Sequence, residues 1–210
     1  MLTVKEAIQK RRSVRRFKDQ PVADELIREI LEAARLAPSA MNLQPWRFIV
    51  VKDQEKRSKL AEICWHQKSI AEAPVAIACF GDRGAYSRES RTRRREEVIE
   101  RGATSQGTNR FADPKFREYV KSHPLPLAQD TIVSIVSNTF IAIENMLLMA
   151  TGLGLATCWV GGFTESDKLS QLLGAPEEWF PIAVIPVGYA EGDIGPDRPR
   201  RALTNIVRWV

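Results

Sequence analysis

Between Lys10 and Phe17 the chain reads Lys-Arg-Arg-Ser-Val-Arg-Arg-Phe, which gathers guanidinium groups and a hydroxyl at the end of a short helical pattern. A guanidinium offers planar, bidentate donors to phosphate oxygens and a serine adds a neutral one, so the segment is chemically equipped to grip a phosphate dianion. A solvated basic helix end accounts for the same residues, because cations there favour the macrodipole. A second segment, Ala37-Pro-Ser-Ala-Met-Asn-Leu-Gln-Pro-Trp-Arg-Phe48, is a polar loop carrying amides at Asn42 and Gln44 and closed by Pro45. Amides donate and accept, which suits the alternating edge of a heteroaromatic ring. Ordinary Asx-turn chemistry would use them as well.

Other chemistries find no footing. Cys64, Cys79 and Cys158 are far apart, with no Cys-x-x-Cys, which suits a reducing compartment and gives neither a disulfide framework nor a metal site. His66 and His123 have no ligand spacing around them, so a zinc reading fails. Gly152-x-Gly154 follows a helical pattern and precedes a strand, the reverse of a dinucleotide fingerprint, and there is neither a P-loop nor a Gly-x-Ser-x-Gly. Cys158 stands between Thr157 and Trp159 in a strand-like run, where buried packing is expected rather than nucleophilic work.

The elements that must carry these residues follow from patterning. A chain of 210 residues, 44% hydrophobic and 27% charged, can bury a substantial core as one unit over 1–210. Val4–Arg11 reads as a helix with Thr3 and Glu6 as a capping box, and apolar spacing after Ala23-Asp24-Glu25 gives a second helix up to Pro38. Trp46–Val51, Pro74–Phe80, Ala156–Val160 and Phe180–Gly188 read as strands, the last interrupted at Pro186. Gln54–Gln67 reads as an amphipathic helix. Ser166–Leu173 reads as a short helix capped by Thr164 or Ser166 and stopped by Gly174. Thr131–Leu153 is the most apolar helix, and a helix apolar on most faces must be buried by something. Its polar residues Ser134, Asn138, Glu144 and Asn145 argue against a membrane span. Leu203–Val210 is expected to return as a terminal strand. The first residues lead straight into a helical pattern, without a charged leader and apolar region, so a cytoplasmic protein is expected.

Gly81–Asp130 differs from its surroundings: arginine-rich, turn-rich and poor in core residues. It is expected to be an inserted lid with one or two short helices, or a partly mobile excursion. Its arginines alternate with Glu89, Glu96, Glu97 and Glu100, which fits a solvated helix with i,i+4 pairs. A lid that recruits an anionic substrate, or the 2′-phosphate of NADPH, is the sharper alternative. The net charge of +5 sits mainly in Arg11–Arg16, Arg91–Arg95 and Arg198–Arg201. A nucleic-acid binder would need a basic stripe with a recognition helix or stacking aromatics, and no such module is present.

Taken in order, Arg-Arg-Ser-x-Arg-x-Phe, then Ala-Pro-Ser-x-x-Asn-x-Gln-Pro-Trp before a strand, then Gly152-Leu-Gly-Leu-Ala-Thr-Cys-Trp-Val-Gly-Gly-Phe163, then Pro186-Val-Gly-Tyr-Ala190 and the closing arginine cluster, the sequence resembles the nitroreductase superfamily. The resemblance spans the chain except Gly81–Asp130. It implies an α+β fold, a mixed and mainly antiparallel sheet surrounded by helices. It also implies an FMN enzyme passing reducing equivalents from NAD(P)H to a small oxidised substrate such as a nitroaromatic, quinone or enone. A specialised flavin reaction, reductive dehalogenation or dehydrogenation, is the alternative on the same fold. By resemblance, Arg11, Arg12, Ser13 and Arg15 would hold the FMN phosphate and ribityl chain, and Arg198 and Arg200 would close on the phosphate from the tail. Pro38, Ser39, Asn42 and Gln44 would border the isoalloxazine, often from a partner subunit. Gly161 and Gly162 would let backbone approach the ring. A homodimer with FMN at the subunit interface is expected, with Ile132–Met149 serving both core and interface. No catalytic side chain and no metal is implied. Ala202 stands where members of the family often have proline.

Overall fold

A computed structural model describes residues 2–100, 114–115, 118, 122, 129–195 and 198–210. Its centre is a four-stranded sheet in the order β1-β2-β4-β3, formed by β1 (Trp46–Val51), β2 (Val75–Asp82), β3 (Ala156–Thr157) and β4 (Trp179–Gly188). Every pairing between these strands is antiparallel. The helices are α1 (Val4–Lys10), α2 (Asp24–Arg35), α3 (Gln54–Ile63), α4 (Lys68–Glu72), α5 (Arg88–Glu100), α6 (Gln129–Gly152) and α7 (Ser166–Leu173). The fold is α+β, as the sequence implies.

β2 is buried along its whole length, and alternation of its side chains feeds two cores. Val75, Ile77 and Cys79 face α2 and α6, meeting Ile30, Ala34, Ile143 and Met146. Ala76, Ala78 and Phe80 face the opposite layer, with Leu60 of α3, Ile70 of α4 and Leu169 of α7. At about 25 cal/mol per Å² of apolar surface removed from water, these two faces supply most of what orders the sheet. α6 passes the length and composition test for a membrane span over Thr131–Gly152. Ile135, Ala142, Ile143, Met146 and Ala150 are nevertheless fully buried against protein, while Val133, Phe140 and Ile141 stay exposed.

Several boundaries differ from expectation. The predicted helix Gln54–Gln67 stops at Ile63, because Trp65 and His66 adopt left-handed backbone, and a separate α4 follows. β2 runs past Phe80 to Asp82, so the excursion starts at Arg83 rather than Gly81. There a single 3-10 turn, Arg83–Tyr86, leads into α5. Residues 101–113 and most of 116–128, including Arg101 and Arg110, lie outside the described residues, and the expected lid with them. The predicted strand Ala156–Val160 shrinks to Ala156–Thr157 plus an isolated bridge from Val160 to Val184. Glu165 precedes α7 without a side-chain cap, in place of Thr164 or Ser166, whereas Gly174 ends it in the left-handed region as expected. Leu203–Val210 is not a strand but a 3-10 turn, Leu203–Asn205, followed by exposed chain.

The register irregularity of β4 falls opposite Cys79 and Phe80, not at Pro186. Val184 exchanges both backbone bonds with Val160, and alternation points Pro186 the same way. Its missing N–H therefore coincides with the gap between the Thr157–Val187 pair and the Val160–Val184 bridge.

At the far end of β4, Gly188 has no room for a side chain: a Cβ there would lie 2.6 Å from Pro74 Cδ and 3.0 Å from Phe17 Cδ1. Both neighbours are stiff, so Gly188→Ala is expected to cost about 1–3 kcal/mol, read as a lower urea midpoint at unchanged slope. An unchanged midpoint would show that this corner yields.

Candidate functional site

The basic segment is held by its main chain. Ser13 forms a parallel bridge with Thr157, and the Val14 N–H donates to the Thr157 carbonyl at 2.9 Å. Further on, the Lys18 N–H donates to Tyr189 O at 2.9 Å, the Glu191 N–H donates to Arg16 O at 3.0 Å, and Phe17 pairs with Ala190. Val14 and Phe17 are the buried anchors, so residues 13–18 extend the sheet beside β3 and the end of β4. Arg15 and Ser13 are left exposed, with Arg11 and Arg12 half-buried. Arg11 Nε lies 3.9 Å from Glu144 of α6. Arg12 donates to Gln9 O and Arg11 O at 2.7 and 2.9 Å.

Arg198 and Arg200 are exposed on the tail that leaves β4 at Ala190, the residue paired with Phe17. Both arginine clusters therefore depart from one corner of the sheet.

The polar loop carries strain. Met41, Asn42 and Gln44 have φ of 53°, 54° and 49°. Asparagine tolerates this region, but for Met41 and Gln44 it costs on the order of 1–3 kcal/mol each unless the surroundings impose it. The surroundings do so from three sides. The Gln44 N–H donates to Ser39 Oγ at 3.0 Å, and the Ala40 N–H donates to Asn138 Oδ1 of α6 at 3.0 Å. Arg47 Nη1 donates to Gln44 O at 3.0 Å and Trp46 O at 2.8 Å, while its Nη2 reaches Asp82 Oδ2 at 2.5 Å. Gln44 Nε2 donates to Asn42 Oδ1 at 3.0 Å. Pro38 and Asn42 are exposed, and Ser39 and Gln44 half-buried.

Gly161 and Gly162 are hemmed by tryptophans. A Cβ on Gly161 would lie 2.9 Å from Trp159 Nε1, and one on Gly162 would lie 2.9 Å from Trp65 Cζ3. Trp159 in turn meets Phe140 of α6 edge-on, ring centroids 5.0 Å apart. Trp65, with φ 54°, is 62% exposed, an unusual state for a large aromatic in strained backbone. Sequence reasoning missed Arg47, Asp82, Asn138 and Trp65. Only the unbroken apolar run into Gly81-Asp82 hinted that a carboxylate sits at a buried strand end.

This chain matches the family model described as the Nitroreductase family over residues 8–189. The chain belongs to that family. A Thermus thermophilus protein named NADH dehydrogenase is 33% identical to it over 210 residues, covering 100% of this chain and 97% of the relative. A Methanothermobacter thermautotrophicus protein bearing the paired name NADH dehydrogenase/NAD(P)H nitroreductase is 31% identical, covering 90% of this chain and 78% of its own length. Among solved structures, an Exiguobacterium sibiricum protein crystallised in complex with FMN superimposes with a TM-score of 0.82 at 25% identity, covering 100% of this chain and 98% of that one.

In this nitroreductase-family chain all three cysteines are buried and free. Desolvation raises the Cys158 thiol, against the opposing fields of Arg15 and Arg11. Burial pushes Cys64 up from an ordinary 9.0 to about 12. Because the folded value is the higher, the stability from this neutral thiol is full below about pH 9 and is lost as pH rises towards 12. The native protein is therefore expected to resist iodoacetamide at Cys64 at pH 8 and to label fully in denaturant, read by mass spectrometry. Rapid native labelling at Cys64 would mean that the Cys64–His66 turn opens.

Proposed function

We propose that this chain is an FMN-dependent oxidoreductase drawing electrons from NAD(P)H, active as a homodimer with the flavin between subunits. The observation that carries the reading is the backbone pairing of the Arg11–Arg15 segment with Thr157. Main-chain bonds fix this stretch and leave Ser13 and Arg15 exposed, while Arg11 lies near Glu144 and Arg12 donates to Gln9 O and Arg11 O. That donor set fits a phosphate dianion, which requires several donors around it. The outward amides of the strained loop fit the donor–acceptor edge of a flavin ring.

When bound, FMN would supply two-electron chemistry between a reduced nicotinamide and an oxidised acceptor such as a nitroaromatic, quinone or enone. The protein's share is binding and orientation. Arg11, Arg12, Ser13 and Arg15 would hold the phosphate and ribityl chain, and Arg200 with Arg198 would close on it from the tail. Pro38, Ser39, Asn42 and Gln44 would border the ring from the partner subunit, with Gly161 and Gly162 allowing backbone close to it. No side chain is assigned as a proton donor, since water can serve.

An open apolar groove lies between α2 and α6, lined by Leu31, Leu36 and Met149. Exposed Leu36, Val133, Phe140 and Ile141, together with Leu203, Ile206 and Trp209 of the tail, supply the apolar surface a partner would cover. The buried free thiols suit the cytoplasm.

The purified protein is expected to be yellow and to oxidise NADH or NADPH when a quinone or nitroaromatic is added. A guanidinium–phosphate contact is worth about 1.5–3 kcal/mol, so Arg12→Ala and Arg200→Ala should each weaken FMN binding roughly ten- to hundredfold by titration. A colourless protein that takes up no added FMN ends this reading.

A further inference from the structure

Two buried polar groups outside the expected site converge on the strained loop. Asn138 is 7% exposed, and its amide is fully engaged. Oδ1 accepts the Ala40 N–H at 3.0 Å, while Nδ2 donates to Ser134 O at 2.5 Å and to Tyr86 Oη at 3.3 Å. The Tyr86 and Ser134 hydroxyls share a further bond of 2.5 Å. On the other side, Asp82 is 6% exposed and is bonded by Arg47 at 2.5 Å and by the Gly84 N–H at 2.8 Å. The Asp82 N–H itself donates to Pro45 O at 2.8 Å.

These two networks have something in common. Each grips one end of the Ala40–Gln44 turn, and each is rooted in Asp82–Tyr86, the short segment from which α5 departs. A buried carboxylate or amide is retained only where its partners repay its desolvation. Here every partner outside Asp82–Tyr86 and Ser134 is main chain of residues 40–46 or the guanidinium that holds it. Left-handed backbone at Met41 and Gln44 persists only where something over-determines it. Arg47 suits the task because its planar fork serves two carbonyls and a carboxylate at once, which a lysine ammonium on a flexible stem does not reproduce.

We propose that Arg47 and Asn138 are positioning residues: they clamp the two ends of Ala40–Gln44 so that Asn42 and Gln44 are presented to the flavin, and they tie that turn to the root of α5. The presentation of Asn42 and Gln44 to the flavin rests on the reading of this loop as flavin-bordering. Movement of α5 would then be felt at the flavin edge through Tyr86 and Asp82, not only through a change in what covers the site.

The test has two arms, both on the full chain. In flavin-free protein, amide exchange at Asn42, Leu43 and Gln44 is followed by NMR in the wild type, Arg47→Lys, Asn138→Ala and the milder Tyr86→Phe. Exchange is expected to quicken at least about tenfold in the first two variants and less in Tyr86→Phe, by loss of bonds worth roughly a factor of ten each. Unchanged exchange in both Arg47→Lys and Asn138→Ala overturns the clamp. In FMN-loaded protein, the visible circular dichroism and midpoint potential of the flavin are compared among the same variants, with Ile185→Val as a core substitution remote from the loop. Both signals are expected to move in the clamp variants and to stay at wild-type values in Ile185→Val, even where its melting temperature falls. A loosened turn with an unmoved flavin signature overturns the placing of the loop beside the flavin, and leaves the clamp itself standing.

Discussion

The burial of β2 on both faces is the constraint from which the rest of the molecule follows. An antiparallel strand with one wet face can tolerate slippage on that side, but β2 has none, so a one-residue shift would misplace both cores at once. Its register with β1 and β4 is thereby locked, and with it the two helix layers. The lock has a consequence at the strand's end. Carrying the ladder as far as Asp82 drags a carboxylate out of water, and that carboxylate must be paired. Arg47, two residues along β1 from the closing proline of the loop, is the side chain that meets it, and in doing so it lays two donors on loop carbonyls. Sheet register and loop geometry are in this way a single problem.

The opposite edge is arranged by a shortage. β3 is only two residues long, and Pro186 contributes no N–H to the gap beyond it. In place of a full edge strand, residues 13–18 dock along Thr157 and Tyr189–Glu191. An extended segment with two buried anchors, Val14 and Phe17, keeps its charged residues outward without asking them to hold the fold. The basic cluster is thus set by backbone pairing, which is directional and insensitive to salt, whereas exposed ion pairs such as Arg16–Glu191 at 3.5 Å add little.

How far this was legible in the sequence depends on the range of the forces involved. Strands β1, β2 and β4 show as apolar runs, and α1, α2 and α7 announce themselves by a capping box, apolar spacing and a terminal glycine, all local signals. The break after Ile63 carries no such signal. Nothing in Cys64-Trp-His-Gln marks a left-handed turn, which exists because Trp65 packs on Gly162 and the Thr164 N–H donates to Ile63 O, partners a hundred residues away. Asp82 reads as loop because a charge normally ends a buried strand, and its pairing with Arg47 and the Gly84 N–H overrides that rule. The terminal strand fails differently: Leu203–Val210 has apolar residues, but it forms a 3-10 turn and exposed chain in place of a strand. The arginines and loop amides proposed to hold the cofactor were readable by order and type, yet the residues that set the loop's shape were not, since Arg47 and Asn138 act through carbonyls and amides that every residue possesses.

The three arginine clusters also show why charge counts alone mislead. On α5, Arg94 is engaged by Glu97 at 2.5 Å and Arg91 lies over the Tyr86 ring at 5.5 Å, so part of that cluster's charge is used within its own element and its root. Arg83 and Arg47 likewise spend their faces on Phe180 and Trp179. Around Ser13 the balance differs, because the backbone supplies the anchoring and the side chains at Ser13 and Arg15 stay in solvent. Arg11 lies near Glu144 and Arg12 donates to Gln9 O and Arg11 O, whereas Ser13 and Arg15 are exposed beside β3. The same net charge spread as i,i+3 pairs along a helix would leave little for a ligand. It is the route of the backbone, more than the number of arginines, that leaves Ser13 and Arg15 facing solvent.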